Sequence, residues 1–159
     1  MSNVLEIGTA NGGFLYLLCG VATAPGIICS IDCGGSMYFA WKHGLFRQFT
    51  KDGQRLNLIV GDSHEDKTLG KLSIALGAEE LDFLFIDGDH RLEGVAKDFN
   101  KYSPYVRKGG LVAFHDIVHQ DSSANGCAEY WNTIRDSYKH AEIVKDSNGR
   151  SGGIGLLWI

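Results

Sequence analysis

Residues 4–13 read Val-Leu-Glu-Ile-Gly-Thr-Ala-Asn-Gly-Gly, a short apolar strand that runs directly into a glycine-rich turn. No other segment narrows the choice of fold as far. Gly8 lets the backbone turn sharply and approach a ligand, while Gly12 and Gly13 open the next helix with no side chain in the way. A second apolar run, residues 27–31, leads straight into Asp32. An acidic residue closing the second strand of such a unit is placed to accept hydrogen bonds from ribose hydroxyls. The two segments together predict an α/β unit that grips a nucleoside-bearing cofactor, with Gly8, Thr9, Ala10, Gly12, Gly13, Asp32 and Cys33 around it.

Strand and helix signals then alternate to the end of the chain. Strands are predicted over 4–7, 27–31, 56–60, 81–86 and 111–114, and helices over 13–21, 37–50, 66–76, 92–105 and 124–138. The run Leu-Asp-Phe-Leu-Phe-Ile at 81–86 is almost continuously apolar, as parallel strands covered on both faces are. Lys108-Gly109-Gly110 reads as the turn feeding the fifth strand. Two closing segments, 141–145 and 154–159, lie near enough in sequence to pair antiparallel. Five strand–helix repeats closed by a hairpin predict a Rossmann-like α/β fold, its sheet mostly parallel with a C-terminal antiparallel hairpin and helices on both faces. The chain of 159 residues reads as a single domain, 1–159.

Charge and composition exclude some partners. The formal net charge is −4, and the densest basic group, Lys97, Lys101, Arg107 and Lys108, reads as a solvated helix face, so nucleic acid is not expected. No apolar run reaches membrane-spanning length and no signal peptide precedes the first strand, so no membrane is expected either. Cys19, Cys29, Cys33 and Cys127 show no paired C-x-x-C spacing and read as reduced and mainly buried, which suits the cytoplasm.

In an open α/β sheet, ligands bind beyond the carboxyl ends of the strands. Here those ends are residues 6–13, Asp32-Cys33, Gly61-Asp62-Ser63, Asp87-Gly88-Asp89-His90 and His115-Asp116, each with a polar group or a glycine turn. Asp62, with Ser63, reads either as an acceptor for an adenine amine or as a cap for the following helix. Glu6 lies inside a strand end, where an unpaired carboxylate is costly; it either orients the glycine loop or meets a ligand's amino group. Asp89 reads as a cap for the helix beginning near Arg91. His43, His64, His119 and His140 lack such context and read as solvent-facing or structural.

The pattern Glu6-x-Gly8-x-x-x-Gly12, with Ala10 where a dinucleotide fingerprint carries glycine, resembles the first motif of class I S-adenosylmethionine (SAM) dependent methyltransferases. Phe-Ile-Asp-Gly-Asp-His at 85–90 and Gly-Gly-Leu-Val-Ala-Phe-His-Asp at 109–116 resemble the fourth- and fifth-strand motifs of metal-dependent O-methyltransferases. That group includes catechol and caffeoyl-coenzyme A enzymes and sugar-modifying relatives. The resemblance implies SAM as cofactor, held by Glu6, Gly8, Thr9, Ala10, Gly12, Gly13, Asp32, Cys33, Asp62, Ser63 and Asp87. It also implies a divalent cation on Asp87, His115 and Asp116, and His90 as the base beside Asp87. The implied reaction is methyl transfer to a hydroxyl of a small molecule or sugar, with the polar loop 118–126 closing over the acceptor. His115 stands where the family usually has a carboxylate. Imidazole suits manganese, iron, cobalt or zinc better than magnesium, so either the metal is softer or His115 only hydrogen-bonds locally and the site is metal-free.

In methyltransferases of this kind, helices upstream of the first strand cover the cofactor. Here that strand starts almost at Met1, which predicts either a minimal chain completed by a partner subunit, for instance in a homo-oligomer, or a piece of a longer protein. Two other readings share these residues. An NAD-dependent oxidoreductase would use Gly8, Gly13 and Asp32 but would leave the Asp87, His115 and Asp116 cluster without a purpose. A non-catalytic or incomplete SAM-binding domain is favoured by the missing upstream helices.

Overall fold

A computed structural model describes residues 1–34, 38–119, 126–145 and 151–159. Strands β1 (Val4–Ile7), β2 (Gly26–Asp32), β3 (Gln54–Val60), β4 (Leu81–Ile86) and β5 (Val106–His119) are followed in turn by helices α1 (Gly13–Val21), α2 (Tyr38–Phe46), α3 (Asp66–Leu76), α4 (Leu92–Tyr102) and α5 (Gly126–Ile134). Strands β6 (Lys139–Ile143) and β7 (Ser151–Trp158) close the chain. The sheet order is β3-β2-β1-β4-β5-β7-β6, with β1 to β5 parallel and β7 antiparallel to both neighbours. This is the predicted Rossmann-like sheet with its terminal hairpin.

The alternation of side chains along each strand divides the core between the two faces. Leu5, Ile7, Leu84 and Ile86 point to one face and pack with Leu72, Val95, Phe99, Phe114 and Trp131 beneath α3, α4 and α5. Val4 and Ile28 point to the other and meet Leu15, Leu18, Cys19 and Phe46 under α1 and the end of α2. Each fully buried Leu or Ile contributes about 1.5–3 kcal/mol relative to exposure, so both layers hold the strand ends in place. Cys19, Cys29 and Cys127 are buried and Cys33 is exposed, none of them in a disulfide among the described residues.

Several expectations change, and α2 and α4 end in 3-10 turns, Arg47–Phe49 and Ser103–Tyr105, where the predicted helices ran on to 50 and 105. Strand β5 starts at Val106, so Lys108-Gly109-Gly110 lies within the strand and is not a turn. Gly109 adopts φ +77° there and donates its N–H to the Ile159 carbonyl at 2.7 Å, and the pairing of β4 with β5 shifts register between Leu81 and Phe83. Glycine supplies that conformation within a ladder, and spacing alone cannot separate it from a turn. Helix α5 ends at Ile134 in a 3-10 turn, Arg135–Ser137, short of the predicted 138. Lys101 is not solvated: its side chain is 18% exposed, and Nζ reaches the His64 carbonyl at 2.7 Å and Asp66 at 2.8 Å. Most of the predicted closing loop, residues 120–125, lies outside the described residues. No helix among the described residues is long and apolar enough to cross a membrane.

Candidate active site

A pocket of about 380 Å³ opens over the carboxyl ends of β1 to β4, with Gly8, Asp32, Asp62, His64, Asp87 and Arg91 among its lining residues. It spans the β1–β4 boundary, where successive connections leave the sheet in opposite directions and a crevice must form. Gly8, at φ +97°, donates its N–H to the Ile31 carbonyl at 2.9 Å. A Cβ on Gly8 would stand 2.1 Å from the Asp87 carbonyl oxygen, so only glycine lets β1 and β4 approach this closely at their tips. Gly12, at φ +78°, rests on the Phe46 ring, which an added Cβ would meet at 2.3 Å. Gly13 faces open space, so the expected need for a bare backbone there is not steric.

Asp32 stands at the predicted strand end. Its two carboxylate oxygens accept the backbone N–H groups of Ala10 at 3.0 Å and Gly34 at 2.8 Å, tying the glycine loop to the segment after β2. Ala10 holds a left-handed φ of +44°, uncommon for a residue with a side chain. Each carboxylate oxygen has further lone pairs, so Asp32 retains acceptor capacity toward the pocket. Cys33 lines the pocket beside it.

Glu6 and Thr9 are wholly or almost wholly buried and do not line the pocket. Ser30 donates its hydroxyl to Glu6 Oε2 at 2.7 Å, and the Thr9 and Ser30 hydroxyls lie 2.5 Å apart. Glu6 Oε1 has no hydrogen-bond partner among the described residues. Burial pushes the Glu6 carboxyl up to about 7, with the Asp87 and Asp32 charges adding to the rise and Ser30 opposing it. Of the two readings for Glu6, orientation of the glycine loop through Ser30 and Thr9 is the one this geometry matches.

At the far end of the pocket, Asp62 Oδ1 accepts the His64 N–H at 2.8 Å, a local Asx-type turn, while α3 starts behind Glu65 without a side-chain cap. Asp62 therefore shapes the turn and does not cap the helix. The Ser63 carbonyl accepts the Tyr102 hydroxyl at 2.7 Å. His64, expected to be solvent-facing or structural, lines the pocket. Its position just beyond Asp62-Ser63 in the same turn is the signal that could have identified it.

Asp87, His90, His115 and Asp116 come together at the tips of β4 and β5. His90 Nε2 lies 3.1 Å from Asp87 Oδ1, and His90 Nδ1 lies 3.4 Å from Asp116 Oδ2. His115 Nδ1 lies 3.1 Å from Asp87 Oδ1 and 3.3 Å from Asp116 Oδ1. Neighbours on a regular strand point to opposite faces, so His115 and Asp116 could not both reach Asp87 and His90 from one. Asp116 adopts φ +58°, and the pairing of β5 with β7 breaks register between His115 and Val118. That irregularity re-aims the adjacent side chains into one cluster. Burial raises the Asp87 carboxyl above its ordinary range, with His115 and His90 opposing the rise. Asp89 is withdrawn from this cluster by Arg91, whose guanidinium holds it down to about 2.

The expected cation finds only part of what it needs. His115 Nδ1 is buried, close to two carboxylates and without a hydrogen bond of ordinary geometry, as a ligand nitrogen would be. Yet among the described residues no three His, Cys, Asp or Glu side chains are arranged to hold a metal ion. The carboxylates instead face histidine nitrogens.

A family model described as a methyltransferase domain matches residues 5–117. The "Uncharacterized protein R132" of Acanthamoeba polyphaga mimivirus is 56% identical over 114 residues, which cover 70% of this chain and 50% of that protein. The chain thus spans about half the length of this curated relative. Among solved structures, the O-methyltransferase from Bacillus cereus in complex with SAH superposes with a TM-score of 0.71 at 19% identity, over 99% of this chain and 74% of that one. The O-methyltransferase TomG from Streptomyces achromogenes, in complex with SAM, gives 0.70 at 16% identity over 98% and 72%. CalS11, a TDP-rhamnose 3'-O-methyltransferase of calicheamicin biosynthesis, gives 0.71 at 18% identity over 99% and 72%. At these identities the structural likeness establishes the fold. The sequence match over the glycine loop and both reacting strands establishes more: this chain belongs to the methyltransferase-domain family.

Proposed function

We propose that the domain binds SAM and transfers its methyl group to a hydroxyl of a small molecule or sugar, with His90 as general base. Two of the solved structures named above carry SAH and SAM, and a third, in its apo form, is a TDP-rhamnose 3'-O-methyltransferase. In this reading Asp32 receives the ribose, the Asp62–Ser63 turn receives the base, and the sulfonium end lies toward Asp87. A nicotinamide cofactor loses its support once the family match is taken into account.

SAM carries an activated methyl group, so the protein must place the acceptor and remove one proton. The acceptor oxygen attacks the methyl carbon in line, the O–C bond forms as the S–C bond breaks, and the sulfonium becomes the neutral thioether of SAH. The hydroxyl proton passes to His90. Orientation of the two reactants supplies up to about 7–11 kcal/mol of the barrier lowering, and a placed base adds about 10²–10⁴-fold. The observation that carries this reading is the bracing of His90 beside the pocket: Nε2 donates to Asp87 Oδ1 at 3.1 Å, which leaves Nδ1, 3.4 Å from Asp116 Oδ2, as the nitrogen that takes the proton. Those carboxylates hold the ring in one orientation and stabilise the imidazolium that forms. The test is calorimetric titration with SAH, followed by transfer of a labelled methyl to a panel of catechols, sugars and nucleotide sugars. No SAH binding would remove the cofactor from the proposal, and label found on nitrogen acceptors alone would remove the hydroxyl.

A further inference from the structure

Glu6 is a wholly buried carboxyl to which the reaction above gives no task. Strand register explains its surroundings. Glu6 pairs with Ser30 on β2 and with Phe85 on β4, and Asp32 and Asp87 follow those partners by two residues. Side chains two apart on a strand share a face, so the three carboxyl groups lie on the α1 side of the three central strands, with Glu6 one step below the other two. Asp32 and Asp87 line the pocket and Glu6 does not. Only Ile7 separates Glu6 from Gly8, which places it about 7 Å along the strand beneath the pocket floor.

The contacts of Glu6 leave it sensitive to charge. Oε2 accepts the Ser30 hydroxyl at 2.7 Å, whereas Oε1 has no hydrogen-bond partner among the described residues. The other groups facing it are the Thr9 hydroxyl through Ser30, the Asp32 and Asp87 carboxylates, and the Cys19 thiol of α1, which burial pushes up to about 11. Among the described residues none of the groups facing it is a cation. A buried carboxylate with one hydrogen bond and two like charges nearby is costly, so the group favours holding its proton. Burial raises the carboxyl to about 7 against the pull of the Ser30 hydroxyl, and Asp87 and Asp32 add to the rise.

We infer that Glu6 senses the charge of the cofactor, ionising when the sulfonium arrives above it and recovering a proton when methyl transfer leaves the neutral thioether. This rests on SAM being the cofactor. The sulfonium is a positive charge that SAM has and SAH lacks. It lowers the cost of a carboxylate under the glycine loop, so Glu6 gives its proton to solvent as SAM enters and takes one back after transfer. The ionised carboxylate attracts SAM and not SAH, and Glu6 thereby makes the site prefer substrate over product without touching either. The preference grows as pH rises toward about 7 and levels off above it, where Glu6 is ionised in the empty site as well.

The experiment is calorimetric titration of the folded protein with SAM and with SAH across the range below and above neutral pH, each in two buffers of different ionisation heat, which counts the protons released. Wild type should release more protons with SAM than with SAH. Its preference for SAM should rise severalfold to about tenfold as pH approaches neutrality, since release of one proton changes affinity by up to about tenfold per pH unit. Glu6→Gln, which keeps an acceptor for Ser30, should release the same number with both ligands and lose the rise. Ser30→Ala removes the hydroxyl that favours the carboxylate and should move the rise to higher pH, which keeps the inference testable if Glu6→Gln fails to fold. Equal proton release with the two ligands in wild type, a difference that survives in folded Glu6→Gln, or a rise that Ser30→Ala leaves in place overturns the inference while the cofactor reading stands. No binding of either ligand overturns that reading and this inference with it.

Discussion

Gly126 donates its backbone N–H to the carbonyl of His90 at 2.8 Å, joining the first residue of α5 to the residue that braces both carboxylates. A Cβ on Gly126 would lie 1.8 Å from the Leu92 amide nitrogen and 2.4 Å from its Cα, so the helix starts touch backbone to backbone. Gly126→Ala must push α4 and α5 apart. The expected cost is on the order of 1–3 kcal/mol of stability, with a fall in methyl transfer at temperatures where the variant is still folded. Thermal melts and turnover measured together check this. A wild-type rate and melt in the variant would show that the helix starts do not set the position of His90.

Stability should carry the signature of Glu6. Its folded carboxyl is raised to about 7 from an ordinary value of 4.5, mainly by burial. A raised carboxyl favours the folded state when protonated. That contribution is fully present below about 4.5 and is lost as pH rises through about 7, and its size is on the order of 3 kcal/mol. Glu6→Gln keeps an acceptor for the Ser30 hydroxyl and removes the titration. Denaturant unfolding between pH 4.5 and 8 should therefore show a flatter profile for the variant than for wild type. Parallel profiles would place the titrating group elsewhere.

Asp32 has a double duty that one substitution can expose. Asp32→Ala strands the Ala10 and Gly34 N–H groups and removes the proposed ribose acceptor, so SAH affinity should weaken by about 1–3 kcal/mol. Asp32→Asn keeps one acceptor oxygen and should lose less. Calorimetry showing no loss in either variant would move the ribose away from β2.

The fold was legible because continuous apolar strands, glycine turns and polar strand ends agree with one another. Asp87, His90, His115 and Asp116 could be named from their places at two strand ends. The resemblance also implied that they meet; how the adjacent His115 and Asp116 both do so was not legible, because it depends on the left-handed Asp116 and the broken β5–β7 register, and neither leaves a mark in residue type. His64 escaped for a related reason. Its partner Asp98 lies 34 residues later on another element and meets it only through packing of α4. Lys108-Gly109-Gly110 misled because glycine marks a turn and an irregular strand equally well.

The donor arrangement at β4 and β5 predicts that turnover on a working acceptor persists in excess chelator, since the proton path runs through His90 and the carboxylates face histidine nitrogens. Loss of turnover in chelator, restored by manganese or magnesium, would reinstate a cation on Asp87, His115 and Asp116.

The sharpest test of the base is a cycle between His90 and Asp87. His90→Ala should lower the methyl-transfer rate about 10²-fold or more, with SAH affinity nearly unchanged, because the imidazole acts on the acceptor and not on the cofactor. Asp87→Asn should lower it less, since the amide can still contact Nε2 at 3.1 Å but no longer stabilises the imidazolium. If the two act as one unit, the double variant is no slower than His90→Ala, because Asp87 has nothing left to support. Rates that fall independently, with the double variant slower by the product of the single effects, would separate Asp87 from the base. A His90→Ala variant whose KM rises with kcat unchanged would instead show that His90 acts through acceptor binding.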